Sequence, residues 1–171
     1  MMRTIVVTLA LAGCGVMPGA PGYISETTSR FDGGREISVS PGHASGCCSL
    51  GATWRSMAPT VVHIVAENIG SLVSIQDRGG LEFNIDGRVV KLDSTGHPTE
   101  FEATRHQGVT YRRSSKSFIM KRADFEAMLS AKLLKVRLNT AHGYTDGDLL
   151  ESAYGGSAIQ GFRAFADRLP K

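Results

Sequence analysis

What this chain lacks narrows its function before any motif is read. No apolar run approaches the roughly 20 residues that a helix needs to cross a bilayer; the N-terminal run Ile5–Leu11 is far shorter. Net charge is small. The 19 Lys and Arg against 16 Asp and Glu leave a formal +3, which makes no case for a nucleic-acid surface. Cations are interspersed with acids except for one cluster, Arg112 to Arg122. Cysteine occurs only at Cys14, Cys47 and Cys48. No internal repeat is present. The acids Asp77, Glu82, Asp86 and Asp93 are scattered over strands and turns, so nothing pairs them for acid–base work on a sugar. Tyr144-Thr145-Asp146-Gly147-Asp148 lacks the remaining ligand positions of a calcium loop and reads as a turn. Gly155-Gly156-Ser157 lacks the second glycine of a nucleophile elbow.

The remaining composition is that of a folded protein. Hydrophobic residues make up 42% and charged residues 20% of 171, which fits a globular domain and not a disordered tail. The first fifteen residues differ from the rest. Arg3 precedes the apolar run Ile5–Leu11, and the small residues Ala12 and Gly13 lead into Cys14. A basic residue, a short apolar core and a small-residue cut site make a secretory signal.

The run Leu11-Ala12-Gly13-Cys14 resembles the lipobox of bacterial lipoproteins, in which the cysteine becomes the first residue after cleavage. The resemblance covers only these N-terminal residues; the rest of the chain carries no motif of a named family. It implies a signal peptide over residues 1–13 and lipidation at Cys14 with covalent diacylglyceryl and N-acyl groups. A Gly/Pro tether over residues 14–22 and one periplasmic domain over residues 23–171 would follow. Removing residues 1–13 leaves 158 residues, enough for one domain. With Arg3 gone, and no acid in that segment, the formal charge becomes +2. Each buried methylene contributes about 0.8 kcal/mol, so three acyl chains would form an effectively permanent anchor. Gly15 rather than Asp after the cysteine favours the outer membrane, facing the periplasm.

Beyond the tether the sequence is β-rich. Tyr23–Arg30 and Arg35–Val39 flank Phe31-Asp32-Gly33-Gly34 and read as a hairpin. Pro41–Gly51 reads as a loop. Thr60–Ala66 is dominated by β-branched residues and reads as a central strand buried on both faces. Leu81, Phe83 and Ile85 alternate with polar residues, and Asp86-Gly87 turns the chain into Arg88–Leu92. Phe101–Arg105 and Val109–Arg113 form a pair around Gly108, and Ser117–Met120 extends it. A helix is expected from about Arg122 to Lys132, then a strand Lys135–Asn139 and a loop Ala141–Gly147. A second helix follows, capped by Ser157. These elements predict an α+β fold: an antiparallel, β-rich sandwich or bent sheet with two C-terminal helices.

Three groups of residues could carry chemistry. Cys47 and Cys48 are adjacent and left alone once Cys14 is lipidated. They could be free thiols, a vicinal disulfide strained by closing a small ring, an intermolecular bridge or half of a metal site. His43 and His63 are the nearest histidines, but zinc thiolates usually stand two to four residues apart, and adjacent side chains diverge in extended chain. The basic segment Arg112-Arg113-Ser114-Ser115-Lys116, with Lys121 and Arg122, could meet anionic headgroups or an acidic partner, or could simply guard an edge strand. The expectation is a membrane-anchored envelope module that binds a periplasmic protein or envelope glycan, with no metal, no nucleic acid and no catalytic residue assigned. A thiol-redox protein or enzyme using Cys47 and Cys48 is the alternative, and a periplasmic immunity or inhibitor lipoprotein a third.

Overall fold

A computed structural model describes residues 19–151 and 156–170. The expected signal peptide and Cys14 lie outside the described residues. Strands account for 53% of the described residues. The elements in chain order are β1 (Ile24–Thr28), β2 (Arg35–Ala44), β3 (Cys48–Arg55), β4 (Val61–Ile69), β5 (Leu81–Ile85) and β6 (Arg88–Leu92). They continue with β7 (Glu100–His106), β8 (Val109–Lys121), α1 (Arg122–Ser130), β9 (Leu134–Thr140), β10 (Gly143–Asp148) and α2 (Ala158–Ala166). A six-stranded sheet runs β1-β2-β3-β4-β8-β7 and a four-stranded sheet runs β10-β9-β5-β6. All the strand pairs are antiparallel. The expected antiparallel, β-rich α+β class is therefore present. The two helices are not both C-terminal: α1 lies between β8 and β9, and only α2 follows the last strand. No helix among the described residues is long and apolar enough to cross a membrane.

The β surface curls into a half-barrel. Single bridges tie its two sheets together. Ser94, just past β6, pairs with Phe118 of β8, and Ser45, at the tip of the β2–β3 hairpin, pairs with Asp148 of β10. Alternation sends Ile37, Leu50, Trp54, Val62, Ile64, Phe83, Phe118 and Leu138 into one core. Helix α2 packs on β2 and β3, and α1 on β4 and β8. The helices meet through Phe125, whose ring stands edge-on to Phe162 at 5.5 Å and to Phe165 at 5.7 Å, a favoured aromatic arrangement.

The Asp86-Gly87 hairpin forms as expected, with both residues at positive φ, the requirement of a two-residue turn that follows strand twist. β4 is central, between β3 and β8, but only its inward residues Val62, Ile64 and Ala66 are fully buried; Val61, His63 and Val65 are half-buried on the outer face. Ser157 occupies the cap position of α2, yet its hydroxyl makes no capping bond and is buried without a partner among the described residues.

Two expected loops are strands. Pro41–Gly51 is the β2–β3 hairpin, with a register shift between Val39 and Gly42 that accommodates Pro41. Its glycines serve close approach: a Cβ on Gly42 would stand 2.7 Å from the Gly156 carbonyl oxygen, and one on Gly51 2.8 Å from that of Val39. Ala141–Gly147 is largely β10, paired with β9 from Gly143↔Thr140 to Asp148↔Lys135.

Candidate functional site: adjacent cysteines where the two sheets meet

Cys47 and Cys48 sit at the tip of the β2–β3 hairpin. Ala44 and Cys48 are its last paired residues. The Cys47 N–H donates to the Ala44 carbonyl at 3.2 Å, closing a four-residue turn with Gly46 third at φ +83°, a position that favours glycine. Cys47 therefore has turn backbone while Cys48 begins a strand. This difference lets the two side chains converge, and their sulfurs stand 2.6 Å apart.

The tip lies against β10. Ser45 and Asp148 exchange both backbone hydrogen bonds, at 3.0 and 2.9 Å. A Cβ on Gly147 would stand 2.6 Å from the Cys47 Cβ and 2.6 Å from the Ser45 carbonyl oxygen, so the hairpin tip and β10 touch through backbone. The Cys47 thiol reaches the Thr145 carbonyl at 3.4 Å and the Thr145 hydroxyl at 3.5 Å. Cys47 is half-buried and Cys48 is buried.

The two thiols differ electrostatically. A hydrogen bond from Cys48 holds the Cys47 thiol below its ordinary pKa. The Thr145 hydroxyl and the Leu138 backbone amide act in the same direction, while burial and the Asp146 carboxylate oppose them. The hydrogen bond to Cys47 and burial push Cys48 well above the ordinary value. Of the two thiols, Cys47 is therefore the more readily ionised.

The histidines do not join this pair. His43 pairs in register with Ser49 and its Nδ1 lies 3.2 Å from the Ser49 hydroxyl, on the face of the hairpin opposite Cys48. His63 pairs with Thr53, toward the far end of β3. Among the described residues no three His, Cys, Asp or Glu side chains are grouped to hold a metal. The scattered acids have local partners. Asp77 pairs with Lys116 at 2.7 Å, and Glu82 pairs with Lys91 at 3.4 Å. Asp86 accepts two backbone amides, and Asp93 accepts the Gly79 amide at 3.1 Å.

The basic segment is largely neutralised from within. Arg112–Lys121 lie on β8, an interior strand and not an edge, and Arg122 opens α1. Arg113 bridges Glu67, at 2.8 Å, and Glu102. Lys116 is buried and also donates to the Ile75 carbonyl at 3.1 Å. Arg122 reaches Glu126 at 2.8 Å and the Pro170 carbonyl at 2.6 Å. Phe118 and Met120 are buried, but Ile119 between them is 45% exposed, so this stretch is covered on one face and not on both.

Sequence reasoning missed two surface features. β7 is exposed along its whole length, and so are Val109–Arg113 of β8. Together they form a projecting ribbon with Phe101, Val109 and Tyr111 exposed on it and Ile69 beside it. On the outer face of the four-stranded sheet, Arg137 forks onto Asp146 at 2.6 and 2.8 Å and lies 4.0 Å from the Tyr144 ring centroid. The guanidinium hydrogen bond lowers the Asp146 pKa. Neither was legible because β10 read as a loop and the ribbon as ordinary sheet. Comparison with protein-family models, with curated proteins and with solved structures found no match to this chain.

Proposed function

We propose that this chain is a lipid-anchored protein of the bacterial envelope that works by binding. The observation that carries the reading is the run Leu11-Ala12-Gly13-Cys14 behind Arg3 and Ile5–Leu11. Diacylglyceryl and N-acyl groups on Cys14 would hold the β-rich domain at the outer membrane, on a Gly/Pro tether, facing the periplasm. In this reading the curled β surface is one bent sheet, a rigid scaffold for the ribbon. The ribbon supports the binding role. Two strands alone are marginal in water, yet here they carry exposed Tyr111 and Val109 around a charged Glu67–Arg113–Glu102 cluster. An aromatic and aliphatic patch with an arginine at its centre suits a periplasmic protein or an envelope glycan.

The anchor and the binding surface are tested separately. Labelled palmitate should enter the wild type and not Cys14→Ala; equal labelling of both removes the anchor. A full-length Cys14→Ser bait should retain one discrete protein or glycan from an envelope extract. Val109→Ser with Tyr111→Ser should lose it while folding stability changes by no more than about 0.5 kcal/mol, as expected of exposed positions. Retention by both baits, or by neither, removes the ribbon as the binding surface.

A further inference from the structure

We propose that Cys47 and Cys48 form a dithiol site for thiol–disulfide exchange, in which Cys47 attacks a disulfide and Cys48 resolves the mixed disulfide by closing a bridge between the two. This site stands apart from the anchor and the ribbon, and its chemistry holds whether or not either reading survives.

Geometry favours this use over the others open to two adjacent cysteines. In an extended strand their side chains would point to opposite faces. Here the turn at Gly46 brings the sulfurs to 2.6 Å. Among the described residues no third ligand is grouped with the pair. With Cys48 buried, any bridge to another molecule has to form through Cys47, and Cys48 then stands within reach to resolve it.

The two thiols are also differentiated as attacking and resolving groups must be. Cys47 is only partly buried, and the absent side chain of Gly147 lets β10 pack directly against it. The Cys48 thiol, the Thr145 hydroxyl and the Leu138 amide favour its thiolate against burial and the Asp146 carboxylate; the thiolate is the reacting form. Cys48, behind it and held protonated by burial and its bond to Cys47, stays out of the first step and within reach for the second.

The exchange balances as follows. The Cys47 thiolate attacks one sulfur of a small-molecule or protein disulfide, R–S–S–R′. A Cys47–S–S–R bond forms, the S–S bond of the oxidant breaks, and R′–S⁻ leaves with the electron pair. Cys48 gives its proton to the leaving thiolate, and its sulfur attacks Cys47 Sγ. The Cys47–Cys48 bond forms, and R–S⁻ leaves and takes the proton that Cys47 had released. Two thiols are oxidised, one disulfide is reduced, and two R-type thiols are released.

The test uses the full chain. Trypsin releases Glu36–Arg55 as one peptide that carries Cys47 and Cys48 and excludes Cys14. After exposure of reduced protein to oxidised glutathione, this peptide should take no iodoacetamide until reductant is added, and then two. Two adducts without reductant overturn the proposal. Reduced Cys48→Ser should trap glutathione on Cys47 at least about tenfold faster than Cys47→Ser traps it on Cys48, following the thiolate population. Equal or reversed rates overturn the order of attack. Should either variant fail to fold, the wild type still decides. One thiol should alkylate fast with a midpoint below the ordinary 9.0, and the other slowly; two thiols of equal rate and midpoint overturn the assignment. Oxidation by glutathione disulfide but by no protein disulfide, or the reverse, identifies which oxidant the site takes.

Discussion

On the outer face of β4, His63 lies in a shallow cleft with Thr53, Arg55, Val65, Thr95, His97 and Ser117. Burial holds its imidazole below the ordinary 6.5; Arg55 adds to that effect and Glu36 opposes it. The unfolded chain then binds a proton at a higher pH than the folded one, so stability rises with pH across the interval between the two values. Folding stability should fall as the pH drops below about 6.5, and urea unfolding of His63→Gln should show a shallower loss over that window. Equal slopes would show that His63 contributes nothing to it. The sequence marked His63 as a remote metal candidate because it stands on the strand after the cysteines. It could not reveal that His63 sits toward the far end of β3 from them, since that distance depends on strand register. The same limit applies at Cys47 and Cys48. Their adjacency is visible in the sequence, but their convergence depends on one residue having turn backbone and the next strand backbone.

Among the elements, the β5–β6 hairpin was the most legible. Leu81, Phe83 and Ile85 alternate, and Asp86-Gly87 supplies the turn. Asp86 also does something no periodicity reveals. Its Oδ1 accepts the backbone amides of Lys132 and Leu133 at 2.9 and 2.8 Å, so the turn holds the link between α1 and β9. Asp86→Ala should cost about 2 kcal/mol, two charge-assisted bonds to amides lost with some rescue by water. Chemical denaturation would measure it, and a cost near zero would mean that water replaces the carboxylate fully. The glycine-rich segments were the least legible elements. Glycine in a strand pattern weakens the signal because it has no side chain to alternate. In β2, β3 and β10 its absent side chain instead admits a neighbouring backbone.

At the scale of the whole molecule, the contact of the β2–β3 tip with β10 joins the two sheets at the cysteine pair. Gly147→Ala would drive a Cβ to 2.6 Å from both the Cys47 Cβ and the Ser45 carbonyl oxygen. The variant should lose about 2 kcal/mol, in the range of overpacking, and Cys47 should alkylate faster as the contact opens. Amide exchange should rise first at Ser45 and Asp148, whose mutual bonds close the join. Unchanged stability and unchanged exchange would show that the two sheets do not depend on this contact.

The sequence by itself determined what is local: the strand periodicities of β5 and β9, the Asp86-Gly87 turn, the presence of two helices and the apolar faces that fill the core. These follow from side-chain alternation and turn chemistry within a few residues, and they sufficed for the β-rich α+β class. Tertiary structure decided what is non-local. Ser45 meets Asp148, and Arg113 joins Glu67 to Glu102. The β7–β8 ribbon extends past its cover, and Cys47 faces Thr145. Each of these depends on the register between segments distant in the chain. Register is set by how the whole core closes and not by any window of sequence.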